Sequence, residues 1–111
     1  MLNWQLIKSA NSFAYEQFQE WLIDSYEHHS VSPKKTEDHQ LASLLYSFFE
    51  KQGVIVNVMG CMWGSVAEYV YEIQQDGNLN GIMGYGYVAR SDAESAAFAH
   101  AFSLLATPYA A

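Results

Sequence analysis

With 111 residues, half of them apolar and 15% aromatic, the chain suffices for one domain (1–111) with a packed core and is too apolar for a disordered one. Five basic against twelve acidic residues leave a formal charge of -7, which argues against direct nucleic-acid binding, where Lys and Arg must neutralise phosphates. The single cysteine, Cys61, excludes an internal disulfide and a cysteine zinc cluster.

The opening Met1-Leu2-Asn3-Trp4-Gln5-Leu6-Ile7-Lys8 has no charged stretch leading into a long apolar one, and no apolar run approaches the roughly 18 to 20 residues of a membrane span. The expectation is a cytoplasmic protein with no membrane partner. Ser12 predicts the cap of a first helix starting near Phe13. There Ala14, Phe18, Trp21, Leu22 and Tyr26 recur at three- and four-residue steps to make one apolar stripe. The pattern stops around His28-His29, and Ser30 to Lys35 reads as a loop because Pro33 disfavours helix at Ser32.

Thr36 with Glu37 and Asp38 predicts a second helix start, and Leu41, Leu44, Leu45, Phe48 and Phe49 supply its buried stripe up to a stop at Gly53. The β-branched run Val54 to Met59 reads as a first strand, with Gly60 to Gly64 as its exit turn. A second strand, Ser65 to Gln74, meets Asp76-Gly77, a favoured two-residue hairpin turn, and a third runs from Leu79 to Ala89. Ser91-Asp92-Ala93-Glu94 has the form of a capping box, opening a helix whose buried side is Ala97, Phe98, Ala101, Phe102 and Leu105 and which Thr107-Pro108 ends. The expected class is α+β in the order α-α-β-β-β-α, a three-stranded antiparallel sheet with helices packed on one face.

A regular ladder from the Asp76-Gly77 turn sets Tyr71 against Ile82, Tyr69 against Gly84 and Ala67 against Gly86. One face then carries Ala67, Tyr69, Tyr71, Ile73, Ile82, Gly84 and Gly86, with tyrosines over glycines, and is expected under the helices. The other carries Val66, Glu68, Val70, Glu72, Met83, Tyr85 and Tyr87. Buried unpaired carboxylates are costly, so this second face is expected in solvent, with a tyrosine and methionine content that resembles an interface.

No catalytic residue, cofactor or metal site emerges. His28 and His29 are adjacent, which on a helix points them apart, and His39 lies beyond a loop. Gly81 to Gly86 lies inside a strand and opens no helix, so a phosphate loop has no mechanism there. Glu68 and Glu72 on an open face lack the enclosed cleft that paired catalytic carboxylates need.

The run Leu44-Leu45-Tyr46-Ser47-Phe48-Phe49-Glu50-Lys51-Gln52-Gly53-Val54-Ile55, together with Arg90-Ser91-Asp92-Ala93-Glu94-Ser95-Ala96-Ala97-Phe98-Ala99-His100-Ala101-Phe102, resembles small uncharacterised proteins of bacterial prophages and mobile elements. Ala89 and Asp92 depart from the pattern of that group, which has no catalytic motif to carry over. The resemblance implies a phage or mobile-element origin in a bacterial cytoplasm. The leading expectation is a non-enzymatic protein-binding module, an inhibitor or modulator of a host protein. The alternatives are a homo-oligomeric structural or accessory protein, a homodimer being one form of it, using the same face on itself, and a small-ligand binder near Cys61 and Trp63.

Overall fold

The structure, a computed structural model, describes residues 2–26, 38–75 and 78–105, without the side chains of Ser25, Tyr26, Asp38, His39, Trp63 and residues 78–82. Its elements are α1 (Trp4–Ala10), α2 (Ser12–Tyr26), α3 (Asp38–Lys51), β1 (Val54–Trp63), β2 (Val66–Gln75), β3 (Asn78–Tyr87) and α4 (Arg90–Leu104). The α+β class, the α-α-β-β-β-α order and the three-stranded antiparallel sheet are as expected, with the short helix α1 added in front. Strand order is β1-β2-β3, and α3 and α4 cover one face of the sheet.

The expected helical stripes are the ones buried. Ala14, Phe18 and Leu22 of α2, Leu41, Leu45, Phe48 and Phe49 of α3, and Ala97, Phe98, Ala101 and Phe102 of α4, with Leu105 just beyond it, are all inside. Trp21 and Leu44 are partly buried against the same core, and Tyr15, outside the expected stripe, joins it. The aromatic rings meet on α4: the centroid of Phe102 lies 4.7 Å from Phe49, 5.8 Å from Tyr15 and 6.2 Å from Phe48. The Phe49 and Tyr15 contacts are edge-on, and such contacts add to area burial because ring edges and faces carry opposite partial charge.

Two caps differ from expectation. Asn11, not Ser12, caps α2: its Oδ1 accepts from the Ala14 N–H at 3.1 Å. The same side chain donates through Nδ2 to the carbonyls of Phe102 at 3.0 Å and Leu105 at 3.3 Å, so one amide satisfies the start of α2 and the end of α4. A serine has too short a reach to do both. At the start of α4, Ala89 stands at the cap without a side-chain bond, and the Ser91/Glu94 box does not form. Ser95, one turn later and buried, donates to the Ser91 carbonyl at 2.7 Å and accepts the Asn3 N–H at 2.8 Å, tying the entry of α1 to α4. Glu94 turns instead to the Tyr46 hydroxyl, which donates to it at 2.9 Å. The Thr36 start, the histidines His28 and His29, and Thr107-Pro108 lie outside the described residues. Helix α3 ends at Gly53, at φ 80°, as expected.

β1 does not turn at Gly60. It continues to Trp63, and the pair Trp63↔Val66 leaves only Gly64 and Ser65 in the hairpin. Asp76 and Gly77 lie outside the described residues, yet the strand ends flanking them pair as Gln75↔Asn78 and Gln74↔Leu79, the register that a two-residue turn predicts. Beyond that the regular ladder fails. Glu72 pairs with Ile82, Tyr71 with Gly84 and Tyr69 with Tyr87, so each step gains one residue on β3. Gly84 is needed where it is, because a Cβ there would collide with the Tyr71 ring. Gly86, at φ 86°, supplies the bulge that carries Tyr87 to Tyr69.

Asn11→Ala is expected to lower the unfolding free energy by about 1–3 kcal/mol, because it strips a cap and two carbonyl partners at once, while Ser12→Ala changes it by less than about 0.5 kcal/mol. Urea denaturation of both variants checks this; equal losses would return the cap to Ser12. Gly84→Ala is expected to cost about 1–3 kcal/mol by overpacking against Tyr71, measured the same way.

Candidate functional site

Side chains alternate along each strand, so the register decides who shares a face. The face under the helices carries Val54, Val56, Val58, Tyr71 and Ile73, all buried. Tyr71 is its central polar anchor. Its ring covers Gly84, and its hydroxyl lies 3.0 Å from Nδ1 of His100, with the two rings edge to face. Tyr69 lies over Gly60 and is partly buried. Tyrosine does stand over glycine on this face as expected, but it is Tyr71 that covers Gly84. Ala67, expected beneath the helices, is exposed near the hairpin end, and the Ile82 backbone pairs with Glu72 instead of Tyr71; its side chain lies outside the described ones.

The far face is built in rows. Ile55 stands opposite Gln74, Asn57 opposite Glu72, Met59 opposite Val70, and Cys61 opposite Glu68, with Val66 at the hairpin end. Since Tyr71 pairs with Gly84, Tyr85 falls beside Val70 and completes a row of Met59, Val70 and Tyr85 across all three strands. Val70, with a strand on either side, is 0% exposed and stands outside the helix-side core, whereas Tyr85 is 75% exposed. Val66 at 61%, Ile55 at 45% and Met59 complete the exposed apolar surface.

Three of the seven residues expected in solvent on this face are therefore corrected. Val70 is on the face but buried. Met83 is partly buried and packs on the helix-side core, displaced there by the register gain between Ile82 and Gly84. Tyr87, two residues after the exposed Tyr85, is swung by the Gly86 bulge to the helix side, where its ring centroid lies 6.2 Å from that of Tyr71. Val66, Glu68, Glu72 and Tyr85 do lie on the far face. Ile55 and Met59, which the sequence reading left unassigned to a face, join them. The alternation of Val54, Val56 and Val58 with Ile55, Asn57 and Met59 is the signal that could have placed them.

The far face is acidic and hydrogen-bonded within itself. Glu72 accepts from Asn57 Nδ2 at 3.0 Å, a cross-strand bond that lets a half-buried carboxylate sit beside Val70. Cys61 is half-exposed opposite Glu68, in a strand and not in a turn. Among the described residues no group of three or more His, Cys, Asp or Glu is placed to hold a metal ion, and no helix is long and apolar enough to cross a membrane. No family model, curated protein or solved structure matches the chain.

Tyr46, Tyr15 and Tyr71 all have their phenol pKa raised, chiefly by burial. For Tyr46 the Glu94 carboxylate adds to the rise, opposed by Arg90, whose Nε lies 4.0 Å from Glu94; for Tyr71 the neighbouring Tyr87 adds. For Tyr15 the Gln19 side chain pulls the other way, but the hydroxyl makes no hydrogen bond. A phenol that resists ionisation in the folded state ionises first in the unfolded chain. These groups therefore leave stability untouched below the ordinary phenol value of about 10 and lower it as pH rises beyond. Ultraviolet titration is expected to show a late phenolate component that appears together with alkaline unfolding and shrinks in Tyr46→Phe. That variant also loses about 1–2 kcal/mol at neutral pH, because Glu94 forfeits a donor.

Proposed function

We propose that this chain is a non-enzymatic protein-binding module whose far sheet face docks on a basic surface of another protein. The observation that carries this is Tyr85, 75% exposed at the end of a row whose central valine is fully buried. An aromatic standing out from an ordered strand, with Met59, Ile55 and Val66 exposed around it, has the make-up of an anchor, because a two-torsion side chain loses little entropy on burial. Glu68 and Glu72 lie on the same face, and the described residues of β1 and β2 bring no Lys or Arg to it. A cationic partner surface therefore suits it. In the phage or mobile-element setting that the sequence resemblance implies, such a partner is a host protein and the effect of binding is inhibition or modulation.

Self-association through the same face is the second reading, and it meets a specific objection: stacking two copies would set Glu68 and Glu72 near their own counterparts.

The test compares proteins captured from a bacterial lysate by the wild type and by Tyr85→Ala with Val66→Ala, both exposed and away from the helix-side core. A partner of high isoelectric point retained by the wild type, weakened at least tenfold in the double variant and released by added salt is the expected result. Identical captured sets would remove the far face from the function.

A further inference from the structure

The sheet is open, and β1 and β3 each leave a row of backbone N–H and C=O groups without a strand partner among the described residues. The two edges are not alike. β3 gains a residue at three places against β2 and turns at Gly86, φ 86°, and such bulges bend and twist an edge away from further pairing. β1 pairs with β2 through ten consecutive residues without a shift. Its sequence, Val54-Ile55-Val56-Asn57-Val58-Met59-Gly60-Cys61-Met62-Trp63, contains no charge and no proline. Within the strand itself it has none of the devices, charge, proline or bulge, that blunt an edge. In a two-residue hairpin the flanking pair, here Trp63 and Val66, exchanges both hydrogen bonds, and alternation then aims the N–H and C=O of Met62, Gly60, Val58, Val56 and Val54 outward.

We infer that the outer edge of β1 pairs antiparallel with β1 of a second copy, joining two three-stranded sheets into one of six strands. Three features select a second copy over another strand. An antiparallel edge is self-complementary about a two-fold axis, so the same outward groups serve both partners. Only one of the two edges is regular, so pairing closes at the dimer and cannot propagate into a fibre. Finally, a chain of charge -7 meets its copy with least repulsion along a strand that contributes no carboxylate, and β1 is such a strand whereas β2 carries Glu68 and Glu72. The pairing also brings the exposed Ile55 and Met59 of both copies together on the far face. It rests on the geometry of the β1 edge and its lack of charge, and stands whether or not that face binds a partner.

Light scattering on the full chain at physiological salt reads the outcome. The wild type is expected at twice the chain mass. Ile55→Lys with Met59→Lys, and separately Ile55→Glu with Met59→Glu, are expected at once the chain mass with unchanged circular dichroism, and an equimolar mixture of the two restores the dimer because opposite charges now meet across the seam. Gly60→Pro, which removes an outward N–H and spares the β1–β2 ladder, gives the monomer independently should the charged variants fold poorly. Tyr85→Ala, on β3, leaves the dimer whole, which separates this inference from the partner-binding reading. A monomeric wild type, a dimer that survives Gly60→Pro, a mixture of well-folded charge variants that does not re-form it, or a dimer lost in Tyr85→Ala alone would overturn the edge pairing.

Discussion

Everything in this fold leans on one side of α4. Phe98 and Phe102, one turn apart, meet Phe49 and Phe48 of α3, with Phe18 and Tyr15 of α2 against Phe102, and the helix also touches α1 and all three strands. Without that aromatic junction the helices would have no common surface and the sheet no cover, because a three-stranded sheet cannot bury an apolar face by itself. The polar ties have the same address. Asn11 binds the end of α4, Ser95 binds its beginning to Asn3, and Gln75 Nε2 reaches the Leu104 carbonyl from the sheet. Each of these satisfies a backbone group that helix geometry leaves open.

The sheet answers to that junction. Tyr71 sits between α4 and β3, its hydroxyl at His100 and its ring in the space left by the missing side chain of Gly84. Fixing Gly84 there sends Tyr85 outward, and the bulge at Gly86 then returns Tyr87 to the helix side. Two tyrosines separated by one glycine thus have opposite fates, one packed and one presented. The register shifts lie between β2 and β3 alone, so the same shifts that present Tyr85 also set the irregular β3 edge apart from the regular β1 edge.

Much of the architecture was legible in the residues. Helical stripes announce themselves by spacing, and every stripe residue expected in α3 and α4 is buried except Leu44, which is half-buried; Ala42, Ala93, Ser95 and Ala99 are buried beside them because neighbours pack on more than one side of these helices. The pairing at both ends of the Asp76-Gly77 turn was legible too, since turn chemistry acts over a few residues. The caps were not. Ser12 and the Ser91/Glu94 box are locally sound, but Asn11 reaches carbonyls some ninety residues away and Glu94 finds Tyr46 on another helix, and no local pattern encodes either partner.

The candidate face divides along the same line. From its own residues the chain determined that a strand-rich half would have one apolar and one mixed side, and that Val66, Glu68, Glu72 and Tyr85 would stand on the mixed one. Only the tertiary structure decided that Met83 and Tyr87 belong with the core, that Val70 is sealed between neighbouring strands, and that Ile55 and Met59 take part. The reason is that a strand's period of two carries a face assignment only while the ladder stays in step. On β3 the ladder slips three times, and the register it reaches at Gly84 is the one that fits the Tyr71 ring over that glycine, a contact between strands that no single strand contains.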